Sequence, residues 1–291
     1  MIFIRPDKDA GKAKKIIYCA PIYRIMRFKE LEDIGKGKLT LKNPKCWEPF
    51  EGIILKELAK HPNDIIQARV KDRNRYYAQC WSFDNNCEAL WRLYSREEKE
   101  GSGIFNGVQV KTTLGRLWSA IVQSKSFNED ELFIGKVEYT SKNKLINRFK
   151  KKEENYTFSE NGYTTTMKGT RNLTEYKSSK FGKGSSFFIK LNSFNYEKEA
   201  RLIVYDDKDD KKDPKDPFYL YIDNPIALCE EIVIDARTSD EDYKNKEERI
   251  KDLGYKGVIK KCHIYDHSDF DQQIEKDRRS NLISQGGEDE V

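Results

Sequence analysis

Apolar residues in this chain occur in short runs that are broken by charged and turn-forming residues, and this spacing limits the folds open to it. Such β-branched and aromatic runs, flanked by polar residues, are typical of short strands. No run approaches the roughly 20 apolar residues that a membrane-spanning helix needs. Near the N-terminus, the run Ile16–Ile22 contains Pro21 and is followed directly by Arg24 and Arg27. It does not have the pattern of an export signal, so the sequence predicts a cytoplasmic protein with no membrane partner.

The order of these patterns predicts an α+β fold with a strand-rich second half. Strands are predicted at residues 16–25, 38–42, 76–83, 108–110, 132–139, 186–190, 196–205, 218–222, 231–235 and 257–264. Helices are predicted at residues 28–34, 53–60, 88–99, 114–123 and 241–253. In the helix at 88–99, Leu90, Trp91 and Tyr94 recur at helical spacing, which indicates an amphipathic helix with a charged outer face.

We expect one domain over residues 1–267 and a flexible polar tail over 268–291. The 291 residues include 12% aromatics, enough for a hydrophobic core. Residues 140–185 contain eleven Lys or Arg against four Glu, a net charge of +7, whereas the whole chain carries +5. This segment is predicted to be an exposed basic insertion with a hairpin. The segment 206–216, with six Asp and four Lys, is predicted to form the charged tip of another hairpin.

The cysteines and glycines exclude several classes of site. Six cysteines are spread along the chain without CxxC spacing, so no disulfide framework is predicted. Cys262 and His263, with His267, have no matching second pair, and we predict no metal. The chain has no GxGxxG or Walker A motif, which argues against a Rossmann dinucleotide site and a P-loop.

The most informative segment is Asn195–Tyr205, NYEKEARLIVY. Read as a strand, it places Glu197 and Glu199 about 7 Å apart on one face, with Arg201 next in line. The other face is mostly apolar and is predicted to face the core: Ala200, Leu202 and Val204. Two interpretations stay open at this point. The carboxylates form a site, or they lie on the solvated face of an edge strand where Arg201 screens them.

Five short motifs occur along the chain: Tyr23-Arg24, Trp47-Glu48-Pro49-Phe50-Glu51, Cys80–Phe83 leading into Trp91-x-x-Tyr94, Lys136-Val137-x-Tyr139, and Tyr196-Glu197-x-Glu199-x-Arg201. Their order over about residues 20 to 265 resembles that of a large bacterial family with a Lys-Tyr-Arg start, a central Asn-Asp-Pro-Phe-Glu, a Trp-x-x-Tyr helix and a late Tyr-Glu-x-Glu-x-Arg strand. The chain departs from that pattern at Ile22, where the family has Lys, and at Trp47-Glu48, where it has Asn-Asp.

That layout in turn resembles the ADP-ribosyltransferase superfamily, especially its nucleic-acid-modifying toxins. The resemblance implies mixed sheets with flanking helices, NAD as co-substrate and no metal. It implies that Glu199 stabilises positive charge on the ribose and that Glu197 accepts the proton of the nucleophile. It also implies that Arg24 holds the NAD pyrophosphate and that Trp91 or Tyr94 stacks on the nicotinamide ring. Tyr23, next to Arg24, is implied as a further cofactor-binding residue. The alternatives are a surface cation for Arg24 and a core stripe for the two aromatics.

The same resemblance implies RNA or DNA as the acceptor, an antitoxin protein as a partner and a role in anti-phage defence. The basic insertion offers a surface for such an acceptor, at Arg148 and Lys150, Lys151 and Lys152, where cations and aromatics are interleaved. A solvated lysine-rich loop explains the same composition equally well.

Two other functions remain compatible with the sequence. The first is a non-catalytic nucleic-acid-binding protein that uses the insertion, with the strand's charges forming a structural ladder. The second is a nuclease with magnesium held by acidic residues from two motifs: Glu48, Glu51, Glu197 and Glu199.

Overall fold

The computed structural model describes residues 19–47, 75–85, 87–95, 105–124, 131–144, 153–160, 163–170, 185–206, 213, 215–223 and 225–265, with the backbone alone for 153–160, 163–170 and 185–186. The strands are β1 Pro21–Arg27, β2 Lys38–Leu41, β3 Tyr76–Ser82, β4 Gly107–Thr113, β5 Leu132–Lys136, β6 Glu138–Thr140, β7 Glu153–Glu160, β8 Tyr163–Thr170, β9 Ile189–Leu191, β10 Glu199–Tyr205, β11 Phe218–Tyr221, β12 Glu231–Ile234 and β13 Val258–Lys261. The helices are α1 Phe28–Gly35, α2 Glu88–Tyr94, α3 Leu114–Gln123 and α4 Asp240–Asp252. Short 3-10 turns occur at Pro44–Cys46, Ser185–Phe188, Asn192–Glu197 and Pro225–Leu228.

Local sequence sets the helix starts. The side chain of Thr113 accepts a hydrogen bond from the backbone N–H of Arg116 at 3.2 Å and caps α3. Ser239 caps α4 in the same way through the N–H of Asp242, at 3.1 Å. The first turn of α4 is acidic and its last turn is basic, which suits the helix dipole. Within the described residues, no helix has the length and apolar character needed to cross a bilayer.

A seven-stranded sheet in the order β13-β12-β4-β1-β3-β10-β5 forms the centre of the protein. Its neighbours are antiparallel except for β12 and β13, which are parallel. Sheet and helices confirm the predicted α+β class. Strand β10 lies between β3 and β5 and all seven of its residues are buried. The interpretation of this segment as a solvated edge strand is therefore wrong.

The two faces of the sheet carry different cores. The first face holds the main core, to which β10 contributes Ala200, Leu202 and Val204 as predicted, and helices α1 and α3 pack there. The second face is defined by the alternate residues of β10, from Glu199 to Ile203. It carries two smaller clusters, one around Phe187, Phe188 and Ile203 and the other around Ile25, Leu90 and Trp91.

The sheet opens between β1 and β3, and the chain passes through this opening. β1 pairs with β3 only at Tyr23, opposite Ser82. Further along β3, the backbone of Ala78 pairs instead with Lys42, through N–H···O distances of 2.8 and 2.9 Å. The chain therefore leaves the first face, where β2 is buried, and reaches the second face at Trp47, whose ring packs edge-on against Phe187.

Several predicted elements differ from the structure. The strand predicted at 132–139 divides into β5 and β6, and β6 pairs in parallel with β9. The strands on either side of 206–216 do not form the predicted hairpin, because β10 pairs with β3 and β5 whereas β11 pairs with β2. Within the predicted insertion, β7 and β8 do form an antiparallel hairpin. The predicted helix at 53–60 and the tail from 268 lie outside the described residues.

A buried ion pair fixes the C-terminal end of α2 against β12. The Asp235 carboxylate accepts hydrogen bonds from the Ser95 hydroxyl and from Arg237, at 2.9 Å to Nε and 2.6 Å to Nη2. Arg237 also donates to the carbonyl of Trp91, at 3.3 Å. Burial by itself raises the pKa of Asp235, but the bonds from Arg237 and Ser95 outweigh it, so the pKa lies below its ordinary value.

We expect Asp235→Asn to destabilise the protein by about 2 to 3 kcal/mol, because Arg237 loses its bidentate carboxylate partner in a partly buried position. Urea unfolding at neutral pH measures this change. The control is Glu247→Gln, which removes an exposed ion pair to Lys251 within α4 and is expected to leave the midpoint unchanged. Equal midpoints for the two variants would contradict the role assigned to Asp235.

Candidate active site

The two predicted carboxylates lie on different elements. β10 begins at Glu199, whereas Glu197 ends the 3-10 turn Asn192–Glu197. Between them, Lys198 is in the left-handed region, with φ of 43°. Strand alternation does not extend back across this residue. The prediction that Glu197 and Glu199 lie two positions apart on one strand is therefore wrong.

Lys190, on β9, brings the two carboxylates together. Its Nζ is 2.7 Å from Oε2 of Glu197 and 3.5 Å from Oε2 of Glu199. The lysine side chain is buried, and its ammonium also lies 4.7 Å from the ring centroid of Phe194. One buried cation therefore links a carboxylate on the strand with a carboxylate on the turn.

Arg201 holds Glu199 through a bidentate ion pair on the second face. Its Nε is 2.8 Å from Oε1 and its Nη2 is 2.8 Å from Oε2. The third nitrogen, Nη1, donates to the carbonyl of Phe187, and the guanidinium carbon lies 4.2 Å from the ring centroid of Trp47. The arrangement fixes both carboxylate oxygens of Glu199 in one orientation.

Glu199 is only 3% exposed, yet its surroundings favour the charged form. Burial by itself raises the pKa of this carboxyl, but the charge and hydrogen bonds of Arg201, together with the charge of Lys190, outweigh burial. The pKa of Glu199 is therefore lowered from its ordinary value. The result is an ionised carboxylate at neutral pH in a position almost closed to water.

Two tyrosines complete the surroundings of Glu199. The hydroxyl of Tyr139 accepts a hydrogen bond of 2.8 Å from the backbone N–H of Glu199, and burial raises the pKa of this tyrosine. Tyr94, on α2, is 51% exposed overall. The pKa of Tyr94 is nevertheless raised, first by burial and then by the nearby Cys80, Glu197 and Glu199. The charges of both carboxylates therefore act on Tyr94, whose side chain remains partly open to solvent.

Tyr23 and Arg24 are on opposite faces of the sheet. Tyr23 is opposite Ser82, and Ser82 is opposite Glu199, so these three residues lie in register across adjacent strands. Arg24 alternates to the first face, where it pairs with Glu30 of α1 at 3.2 Å and donates to the carbonyl of Cys80 at 2.8 Å. The structure thus separates Arg24 from the carboxylate pair.

Trp91 is part of the core of the second face. It is 1% exposed and packs with Ile25 and Leu90. This placement agrees with the core alternative for the Trp91 side chain and leaves Tyr94 as the exposed aromatic of the motif. The predicted residues Arg148, Lys150, Lys151 and Lys152, and Glu48 and Glu51 of the central motif, lie outside the described residues.

Sequence reasoning assigned no role to Lys190 or Tyr139. These residues are opposite each other in the parallel pair of β9 and β6, a contact that no local pattern encodes. Among the described residues, no group of three or more His, Cys, Asp or Glu side chains could hold a metal ion. The charges of Glu197 and Glu199 are instead compensated by Lys190 and Arg201.

Comparisons with known proteins found similarity only at the level of solved structures. No protein-family model matches the chain, and no curated protein matches it. Thermus sp. 2.9 DarT in complex with NAD+ is 15% identical, with a TM-score of 0.35 over 84% of this chain and 96% of that chain. The carba-NAD+ complex is 13% identical, with a TM-score of 0.34 over the same shares. The complex with ADP-ribosylated ssDNA is 14% identical, with a TM-score of 0.33 over 83% and 93%.

We expect the contribution of Glu199 to stability to depend on pH. Its folded pKa is lowered, so its stabilising effect is complete above the unfolded pKa of about 4.3 and is lost as the pH falls through the folded value. Glu199→Gln should therefore cost about 3 to 5 kcal/mol at pH 7, because Arg201 and Lys190 lose a buried counter-charge. The difference from the wild type should shrink below about pH 4.3.

Urea unfolding at pH 7 and between about pH 3 and 5 measures the cost of Glu199→Gln at neutral pH and its decrease at low pH. Glu241→Gln, which removes an exposed carboxylate in the first turn of α4, serves as the control. If Glu199→Gln does not fold, Arg201→Lys gives the same test, because it keeps the positive charge and removes the bidentate geometry. A wild-type advantage that stays constant from pH 7 to pH 3 would contradict the assignment.

Proposed function

We propose that this chain is an NAD-dependent ADP-ribosyltransferase that modifies a macromolecule, with nucleic acid (RNA or DNA) as the acceptor. The observation that carries the proposal is the state of Glu199: a buried carboxylate whose pKa is lowered, held beside the second carboxylate Glu197 by the shared cation Lys190. The motif order along the chain supports the same conclusion, since it resembles that of a bacterial family whose layout in turn resembles the ADP-ribosyltransferase superfamily.

The residue types suit this chemistry. NAD supplies a nicotinamide leaving group, whose departure with the bonding electron pair leaves positive charge on the ribose. In our proposal Glu199 stabilises that charge and accepts a hydrogen bond from a ribose hydroxyl. Glu197 takes the proton that the acceptor nitrogen or oxygen loses as it bonds to the ribose carbon.

Of the two cations that contact Glu199, Lys190 is the more distant, and a ribose hydroxyl can take its place at the carboxylate. Arg201 contacts its two oxygens at 2.8 Å, whereas Lys190 lies 3.5 Å from Oε2 and has its close contact, 2.7 Å, with Glu197. A carboxylate oxygen accepts more than one hydrogen bond. A hydroxyl can therefore bind Oε2 while Arg201 keeps the carboxylate in place.

Tyr94 is the aromatic that best suits a ring-stacking role. It is half exposed and close enough to both carboxylates for their charges to raise its pKa. Tyr23 is in register with Glu199 and is assigned to the same cofactor surface. Arg24 contacts Cys80 at the edge of the opening between β1 and β3. In our proposal it binds the pyrophosphate of NAD from this edge.

From the resemblance alone, we further propose that the protein acts in the cytoplasm as a toxin that an antitoxin restrains, in anti-phage defence. The basic segment at Arg148 and Lys150–Lys152 is proposed as a contact for the acceptor's phosphates. Lysine clusters add affinity for nucleic acid but do not distinguish one sequence from another. In our proposal the residues around the carboxylates therefore determine which base is modified.

A second candidate is a non-catalytic nucleic-acid-binding protein. The observation that favours it is the near-complete burial of Glu199 among Arg201, Lys190 and Tyr139, which is also what a purely structural ion pair requires. The two candidates differ in one measurable property, because only the transferase consumes NAD.

The test uses purified protein and NAD labelled on its adenylate half, with RNA, DNA and cell protein in separate reactions. We expect label in a nucleic acid pool, nicotinamide release, and a loss of about 10² to 10³-fold in rate for Glu199→Gln. Glu197→Gln is expected to lower transfer more than nicotinamide release, because its role follows bond cleavage. Glu241→Gln is the matched control and should keep the wild-type rate.

Circular dichroism of each variant separates lost chemistry from lost fold. Folded wild-type protein that releases no nicotinamide with any acceptor pool would overturn the transferase and favour the binding protein. Full activity in a folded Glu199→Gln variant would overturn the assigned mechanism.

A further inference from the structure

A small two-stranded sheet lies apart from the carboxylate site, over the first face of the central sheet. β2 and β11 pair antiparallel, with Tyr219 opposite Thr40 and Tyr221 opposite Lys38. The inward residues of this pair, Leu39, Leu41 and Leu220, are buried in the main core. The alternate residues point outward, and together with the next outward position they form what we term the ribbon face: Lys38, Thr40, Lys42, Tyr219 and Tyr221.

The two tyrosines of the ribbon face are both exposed. Tyr219 is 42% exposed and Tyr221 is 58% exposed. They are two residues apart on one strand, so their side chains rise from the sheet about 7 Å apart. Stacked bases are spaced by about 3.4 Å, so a single base fits between two rings at twice that distance.

Basic side chains accompany these rings. Lys38 Nζ lies 5.7 Å from the ring centroid of Tyr219, and Lys42 is exposed beyond the end of β2. The stretch 36–47 carries four lysines and no carboxylate. Asp216 precedes β11, and Asp223, exposed two residues after Tyr221, is the next outward position past the other end of that strand. Counted in the same way on both strands, the outward positions carry two lysines, Lys38 and Lys42, against one carboxylate, Asp223. The ribbon face is therefore aromatic with a small excess of positive charge.

We propose that the ribbon face binds single-stranded nucleic acid, with bases stacked on Tyr219 and Tyr221 and phosphates contacted by Lys38 and Lys42. Aromatic rings interleaved with cations are the usual means of holding a single strand without sequence preference. A duplex keeps its base faces inside the stack, so it gains the phosphate contacts and not the ring contacts.

The ribbon face and the carboxylate pair lie on opposite faces of the central sheet. Binding at the ribbon is thus separate from the chemistry, and its role is to retain the acceptor strand. This role rests on the proposed function, whereas the binding itself does not require NAD. The short connection from Lys42 to Trp47, which contacts Arg201, joins the ribbon to the second face.

The test is fluorescence anisotropy of a labelled oligothymidine of about 15 nucleotides, titrated with the full chain in the absence of NAD. An abasic strand of the same length keeps the phosphates and removes the bases, so it separates stacking from charge. We expect the wild type to bind the thymidine strand at least about tenfold more tightly than the abasic strand and the matched duplex.

Substitutions then assign that preference to the ribbon. Tyr219→Ala with Tyr221→Ala should abolish the preference for bases, whereas Phe at both positions should keep it, since a phenyl ring still stacks. Lys38→Gln with Lys42→Gln should weaken the binding of both the thymidine and the abasic oligonucleotide, and should reduce the salt slope of binding by about 1.4. Lys256→Gln removes an exposed lysine next to β13, at the far edge of the central sheet, and should change neither value.

Three results would overturn the proposal: equal binding of thymidine and abasic strands by the wild type, an intact base preference in the alanine variant, or tighter binding of the duplex. None of these depends on NAD cleavage, which is followed separately through nicotinamide release. An alanine variant that loses base preference and still releases nicotinamide separates this inference from the proposed reaction.

Discussion

The buried ion pair between Glu199 and Arg201 determines how the second face of the sheet is built. Two charges in the interior are destabilising unless nearly every hydrogen-bonding position is filled. The guanidinium meets this condition by binding both oxygens of Glu199 and the carbonyl of Phe187, and by stacking on Trp47. Each of these contacts recruits a different segment of the chain, so the ion pair fixes β10, the turn before β9 and the connection after β2 together.

Glu197 depends on a second set of contacts at the end of β3. The hydroxyl of Ser82 donates to the carbonyl of Glu197 at 2.7 Å, and Lys198 pairs with Asp84 at 2.7 Å. These contacts hold Lys198 in a left-handed conformation that costs about 1 kcal/mol or more for a residue with a side chain. The strained residue turns Glu197 toward Lys190 instead of letting it continue the strand.

The limits of sequence reasoning follow from the same contacts. The alternation of Ala200, Leu202 and Val204 is a local pattern, and it correctly identified the side of β10 that faces the main core. The polar side of β10 was open to interpretation as solvated, because alternation places Arg201 beside Glu199 but does not show that both are buried or that a lysine from another strand joins them. The left-handed Lys198 carries no glycine or asparagine signal. Lys190 enters the site only through the pairing of β9 with β6.

Sheet geometry also divides the Tyr23-Arg24 motif. Adjacent residues of a strand point to opposite faces, so only one member of the dipeptide can face Glu199, and the register with Ser82 selects Tyr23. Arg24 is left to the first face, where it joins α1 to the opening beside Cys80. That opening is also where Lys42 pairs with Ala78 and the chain crosses between faces. The split between β1 and β3 is therefore the structural feature that connects a basic, aromatic ribbon on one side of the sheet with an ionised, enclosed carboxylate on the other.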